Sequence, residues 1–195
     1  KCPVRILNDA DAAGVAEMEF GVGRGRDGAV IMLTIGTGIG SGMFYNGQLI
    51  PNIELGHMPG KDGQPIERYS GNRARKADNL SWDEWGPRLN YFFERTVRVC
   101  SPDHFILGGG VSKKYDRYQH AITVPTPIHV ARFQNNAGII GAAVAVASCV
   151  TVMAIPAVPS AASSEPALKP NQPTQSMEAP ITVSPRLCGG IAVVG

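Results

Sequence analysis

The chain has 195 residues, with 18 Lys+Arg against 16 Asp+Glu for a net charge of +2. That balance, without any Lys/Arg run, argues against a polybasic nucleic-acid arm, and no apolar stretch reaches the ~18 residues of a membrane-spanning helix. The 44% hydrophobic content is enough for a globular core, and the 23 glycines place part of the function in backbone turns.

The N-terminus, Lys1-Cys2-Pro3, has no initiator Met and no apolar signal region, so it reads as a cut end. Asn8 or Asp9 can cap a helix running through Ala10 to about Glu19. A Gly-rich loop, Gly21 to Gly28, precedes Ala29-Val30-Ile31-Met32-Leu33-Thr34-Ile35, an apolar run expected of a strand buried on both faces. After the turn Gly36-Thr37-Gly38-Ile39-Gly40, a second strand is predicted over Ser41 to Tyr45. Asn46-Gly47 signals a hairpin into Gln48-Leu49-Ile50. Ser81-Trp82-Asp83-Glu84 has the form of a capping box opening a helix to about Val99. Trp85, Leu89, Phe92, Thr96 and Val99 recur at spacings of four, three, four and three and share its core face. His104-Phe105-Ile106-Leu107 and Ile128-His129-Val130 read as strands, and Ala137 to Ala143 as a small-residue helix. The order is helix, strand, hairpin, helix, strand, helix, strand, helix, which is an α/β lobe over residues 1–148.

Residues 149–195 hold seven of the 15 prolines and no Phe, Trp or Tyr. Such a stretch buries too little apolar surface to offset its ordering entropy, so a disordered tail is expected, either a linker or a spurious translation. The four cysteines, Cys2, Cys100, Cys149 and Cys188, form no Cys-x-x-Cys pair. That fits four unrelated thiols in a reducing cytosol, hence a cytoplasmic location.

Several segments have residue types suited to chemistry. Glycines after a strand let backbone N–H groups approach phosphate oxygens, and Thr37 adds a hydroxyl, although tight hairpins need glycine too. Gly108-Gly109-Gly110 after a strand is open to the same two readings. A carboxylate at Asp9 can accept a proton from a substrate hydroxyl or serve in an ordinary helix cap. Glu54 and His57 can bind sugar hydroxyls or form a salt-linked loop.

Taken in order, Asn8-Asp9-Ala10-Asp11-Ala12-Ala13-Gly14, Thr34 to Ser41, Pro51-Asn52-Ile53-Glu54-Leu55-Gly56-His57, Leu107 to Lys113 and Asn135 to Ala143 resemble the ROK family of sugar kinases. Ser81-Trp82-Asp83-Glu84-Trp85 also looks like its polyphosphate-using glucokinase subgroup. The resemblance covers roughly Val4 to Ala147. It implies the C-terminal lobe of an actin-like ATPase/sugar-kinase (ribonuclease H-like) fold. It also implies phosphorylation of glucose to glucose 6-phosphate from polyphosphate or ATP with Mg²⁺, and a homodimer of the kind common among ROK proteins. Asp9 matches the family's general base. Asn8, Glu54 and His57 match its sugar-binding positions, with Glu67 a further one. Gly36, Thr37, Gly38 and Gly40 match the phosphate turn, and Gly108, Gly109 and Gly110 the nucleotide-side turn.

Two departures stand out. Many ROK proteins carry a Cys-x-Cys-Gly zinc motif after the Gly-His segment, but Met58 to Glu67 holds no cysteine, so no structural zinc is expected. The family's N-terminal lobe, with its Asp-x-Gly-Gly-Thr phosphate motif, has no counterpart here, which leaves a non-catalytic sugar-binding fragment or degenerate product as the alternative. For polyphosphate, a cation-lined lane is expected, with Arg73, Arg75 and Lys76, or Lys113, Lys114 and Arg117, as its lining or as ordinary solvated surface.

Overall fold

The structure is a computed structural model that describes residues 4–151 and 190–194. Strand β1 (Val4–Asn8) leads directly into helix α1 (Asp9–Phe20). Strands β2 (Ala29–Ile35), β3 (Ile39–Tyr45) and β4 (Gln48–Ile50) follow as an antiparallel meander. Two short helices, α2 (Glu67–Ser70) and α3 (Asn72–Ala77), precede the long α4 (Trp82–Cys100). Strands β5 (His104–Gly108) and β6 (Ile128–Val130) then lead to α5 (Ala137–Thr151), and β7 spans Gly190–Val194.

The main sheet has the order β4-β3-β2-β5-β6, with β5 parallel to both β2 and β6. Side-chain alternation along β2 divides its residues between two layers. Ile31, Leu33 and Ile35 pack with Trp85, Leu89, Phe92 and Phe93 of α4. Val30 and Met32 point the other way, toward Ala13 and Ala16 of α1 and Ala137 of α5. Helices on both faces bury both sides of the sheet, which is why β2 reads as a continuous apolar run.

The expected capping box is present at Ser81 and Glu84. The bond to Ser81 holds the Glu84 carboxyl below its ordinary range. Trp85, Leu89, Phe92 and Thr96 are buried as the spacing predicts, but Val99 is 66% exposed because the buried stripe drifts around the helix to Phe93, Val97 and Cys100, which still pack on the core. Phe93 takes the added place in the core. At the hairpin, Asn46 and Gly47 both have positive φ, 48° and 79°, as a two-residue turn between twisted strands requires.

The helix expected between β5 and β6 is instead two 3₁₀ turns, Ser112–Arg117 and Gln119–Ala121. Tyr118, fully buried between them, donates its hydroxyl to the Val111 carbonyl at 3.1 Å and stacks on Trp82. Much of the tail expected to be disordered lies outside the described residues. Within that tail, Gly190–Val194 is a strand, paired parallel with β1 in a separate two-stranded sheet.

Candidate active site

Five segments converge at the carboxyl end of β2. The junction of β1 and α1 supplies Asn8 and Asp9. Asn8 caps the helix by accepting the Asp11 N–H on its Oδ1 at 2.6 Å, which fixes the direction of its amide. Its Nδ2 is then free to donate to Glu54 Oε1 at 3.5 Å, across 46 residues of sequence. Asp9 opens the helix with an exposed side chain, where a carboxylate is favoured by the exposed N–H groups of the first turn.

The turn between β2 and β3 is closed by Gly36 N–H donating to the Gly38 carbonyl at 3.0 Å. Beside it, Gly40 leaves room for a close approach. A Cβ there would lie 2.5 Å from Thr34 Oγ1 and 3.6 Å from Asp9 Oδ1. The Asp9 carboxylate can thus rest against the backbone of this turn.

Glu54 precedes a one-turn 3₁₀ helix, Leu55–His57, and His57 closes it. Glu67 is brought in by a loop that doubles back on itself. Gly60 N–H donates to the Gln64 carbonyl at 2.7 Å, Ile66 N–H to the Met58 carbonyl at 2.8 Å, and buried Ile66 anchors the end. Glu67 Oε2 accepts the Ile39 N–H at 2.9 Å, while Oε1 lies 3.9 Å from His57 Nε2. One carboxylate therefore links the Gly-rich turn to the imidazole.

These groups line a cleft of about 620 Å³. Asn8, Asp9, Glu54, His57 and Glu67 all contribute to its wall, as do Gly36, Thr37, Gly38 and Gly40. Of the second Gly-rich turn only Gly109 faces the cleft; its φ of 77° is a left-handed conformation suited to glycine. Gly108 is buried at the end of β5 against Met32, and Gly110 is exposed outside the lining. Thr34 and the Ile39 backbone are contributors that the motifs do not single out.

Behind this wall lies Asp11, with no exposure to solvent. Burial pushes its carboxyl up. The Asn52 N–H bond opposes that shift, and the Glu54 and Asp9 charges reinforce it.

A second cavity, of about 510 Å³, shares Thr37, Gly38 and Glu67 with the cleft and is lined by Arg68 and Arg73. Arg75 does not join it. Its guanidinium lies 4.2 Å over the Trp82 ring and donates to Asn72 and to the Leu80 carbonyl. Lys76, Lys113, Lys114 and Arg117 are exposed and line neither cavity.

Among the described residues, no three His, Cys, Asp or Glu side chains converge as a metal cage. A Mg²⁺ ion carried in by donor phosphates needs none, since one or two carboxylates plus the phosphates hold it.

Residues 1–74 match the ROK family. The chain is 42% identical over 148 residues to the polyphosphate glucokinase of Mycobacterium leprae (strain TN), covering 76% of this chain and 45% of that protein. It is 41% identical over 142 residues to the polyphosphate glucokinase of Mycobacterium tuberculosis (strain ATCC 25618 / H37Rv), covering 73% and 53%. The solved inorganic polyphosphate/ATP-glucomannokinase from Arthrobacter sp. strain KM matches with a TM-score of 0.72 and 46% identity, over 75% of this chain and 58% of that one. The chain thus spans about half the length of the curated polyphosphate glucokinases it matches. The chain is similar to the ROK family over residues 1–74 and to the polyphosphate glucokinases over about half their length, and it has the fold of the ROK sugar kinases.

Proposed function

We propose that this chain supplies the sugar-binding wall and the general base of a glucokinase, which forms glucose 6-phosphate from polyphosphate or ATP. The observation that carries the reading is the position of Asp9. Its carboxylate lies beside Gly40 of the glycine turn and lines one cleft with Asn8, Glu54, His57 and Glu67. The volume suits a hexose with a terminal phosphate.

In the reaction, the Asp9 carboxylate takes the proton of the glucose 6-hydroxyl. The freed oxygen bonds to the terminal phosphorus, and the bond to the bridging oxygen breaks. The donor leaves one phosphate shorter, as ADP or a shortened polyphosphate chain. Phosphoryl transfer is mainly positioning and charge stabilisation, which glycine N–H groups and the Thr37 hydroxyl can provide. Mg²⁺ bound with the donor would neutralise phosphate charge. Glu67 holds the turn through Ile39 N–H while facing His57, so sugar wall and phosphate turn keep one spacing.

The test is glucose 6-phosphate formation by the purified chain with Mg²⁺ and either donor. Asp9→Asn is expected to keep glucose binding and lose about 10²–10⁴ in turnover. Near-normal turnover in that variant would remove Asp9 from its role. A folded wild-type chain that binds glucose without transferring phosphate would support the sugar-binding reading alone.

A further inference from the structure

One buried group has no part in that chemistry. Asp11 lies on α1, two residues beyond the proposed base. Its Oδ2 accepts the Asn52 N–H at 3.0 Å, and its own N–H donates to Asn8 Oδ1 at 2.6 Å. Its Oδ1 is buried without a hydrogen-bond partner among the described residues.

Sequestering a carboxylate with one oxygen unpaired is costly. The return on that cost lies in what the carboxylate grips. Asn52 has φ 62°, a left-handed conformation in a loop with no regular partner strand. Just beyond it, Ser41 Oγ donates to the Ile53 carbonyl at 2.5 Å and accepts the Leu55 N–H at 2.8 Å. Ser41 on β3 thus holds the backbone on both sides of Glu54, and a second anchor on α1 holds the loop at Asn52. The α1 anchor is Asp11, which also holds the backbone end of the Asn8 cap.

We propose that Asp11 is a positioning residue for sugar binding. Its carboxylate ties the loop 51–54 to the helical turn whose backbone N–H at position 11 already holds the Asn8 cap, so that the Asn8 amide and the Glu54 carboxylate face the same ligand hydroxyls. The proposal rests on the reading of the cleft as a hexose site.

Two readouts on the full chain test it: isothermal titration with glucose, and amide hydrogen exchange of the segment from Asn52 to Leu55. Asp11→Ala is expected to weaken glucose binding by about tenfold, the worth of one well-formed hydrogen bond, and to speed exchange in the segment. Asp11→Asn keeps an oxygen for the Asn52 N–H and should stay within a few-fold of wild type. If Asp11→Ala is insoluble, Asp11→Ser, whose hydroxyl falls short of Asn52, is read the same way.

A residue that only supports the fold would give fewer binding-competent molecules at unchanged Kd, which overturns the proposal. So does unchanged exchange in the alanine variant, or an asparagine variant as weak as alanine. Wild type that fails to bind glucose, with faster exchange in Asp11→Ala, would remove the sugar reading and leave the anchoring of the loop intact.

Discussion

Replacing Gly141 by alanine tests how closely α1 and α5 approach. A Cβ built on Gly141 falls inside the Ala12 carbonyl, with the Ala12 Cα only 3.1 Å away. No side chain stands there to rotate aside, so the two helices must part. Overpacking of this kind costs about 1–3 kcal/mol, and backbone contact puts it at the upper end. Better helix propensity returns about 1 kcal/mol. The net loss is about 2 kcal/mol, or roughly 4–8 °C in Tm for a domain of this size. Gly138 is the internal control. It lies one turn earlier on α5, and a Cβ there meets nothing within 4 Å. Gly138→Ala should gain at most about 1 kcal/mol. Urea and thermal unfolding followed by circular dichroism would read both. Equal stability of Gly141→Ala and wild type would mean that the two helix backbones do not touch in solution.

Further outcomes follow from the site and its supports. Glu67→Ala should lower phosphoryl transfer by about 10–100-fold, the worth of a charge-assisted hydrogen bond to Ile39 N–H, whereas Glu67→Gln should lose far less in steady-state kinetics. Burial makes folded Asp11 hold its proton more tightly than the unfolded chain does. Its stabilising contribution is therefore full below the ordinary value of 3.8 and is lost as pH rises through the raised folded value. Tm measured against pH should show that decline in wild type and lack it in Asp11→Asn. Arg75→Ala should cost about 1–2 kcal/mol through lost stacking on Trp82 and lost hydrogen bonds, and Arg73→Ala nearly nothing, in the same unfolding assay. If Arg73 helps hold a polyphosphate chain, polyphosphate-dependent turnover should fall more steeply with added salt than ATP-dependent turnover; equal slopes would count against it.

The parts legible in the sequence are those governed by local pattern. The β2 run, the Asn46-Gly47 turn and the Ser81–Glu84 box each act over a few residues, and each appears where expected. Helices α2 and α3 gave no signal because residues 67–77 are mostly polar and too short for a periodic face. Their placement depends on long-range contacts, such as Trp85 Nε1 donating to the Ser70 carbonyl at 3.0 Å. The site divides in the same way. Asp9, Glu54 and His57 lie in short motifs that resemble a family, so their numbers could be read directly. The anchors behind them, Asp11 to Asn52 and Ser41 to Ile53, bind backbone atoms, and backbone partners leave no side-chain pattern to read.

The two faces of the sheet are built from unlike materials. On the α4 side, Trp85, Phe92, Phe93 and Phe105 interlock as large rings. On the other side, α1 and α5 meet each other mainly through alanine and glycine, over a sheet face that carries Val30, Met32, Ile106 and a single buried ring, Phe44. Ring-packed layers lose much more contact on opening than small-residue layers do, so local opening is expected to begin on the α1 side. Asn8 and Asp9 are carried at the head of that layer. On warming, the cleft should lose its geometry while the aromatic half is still closed, and inactivation should run ahead of the spectroscopic melt.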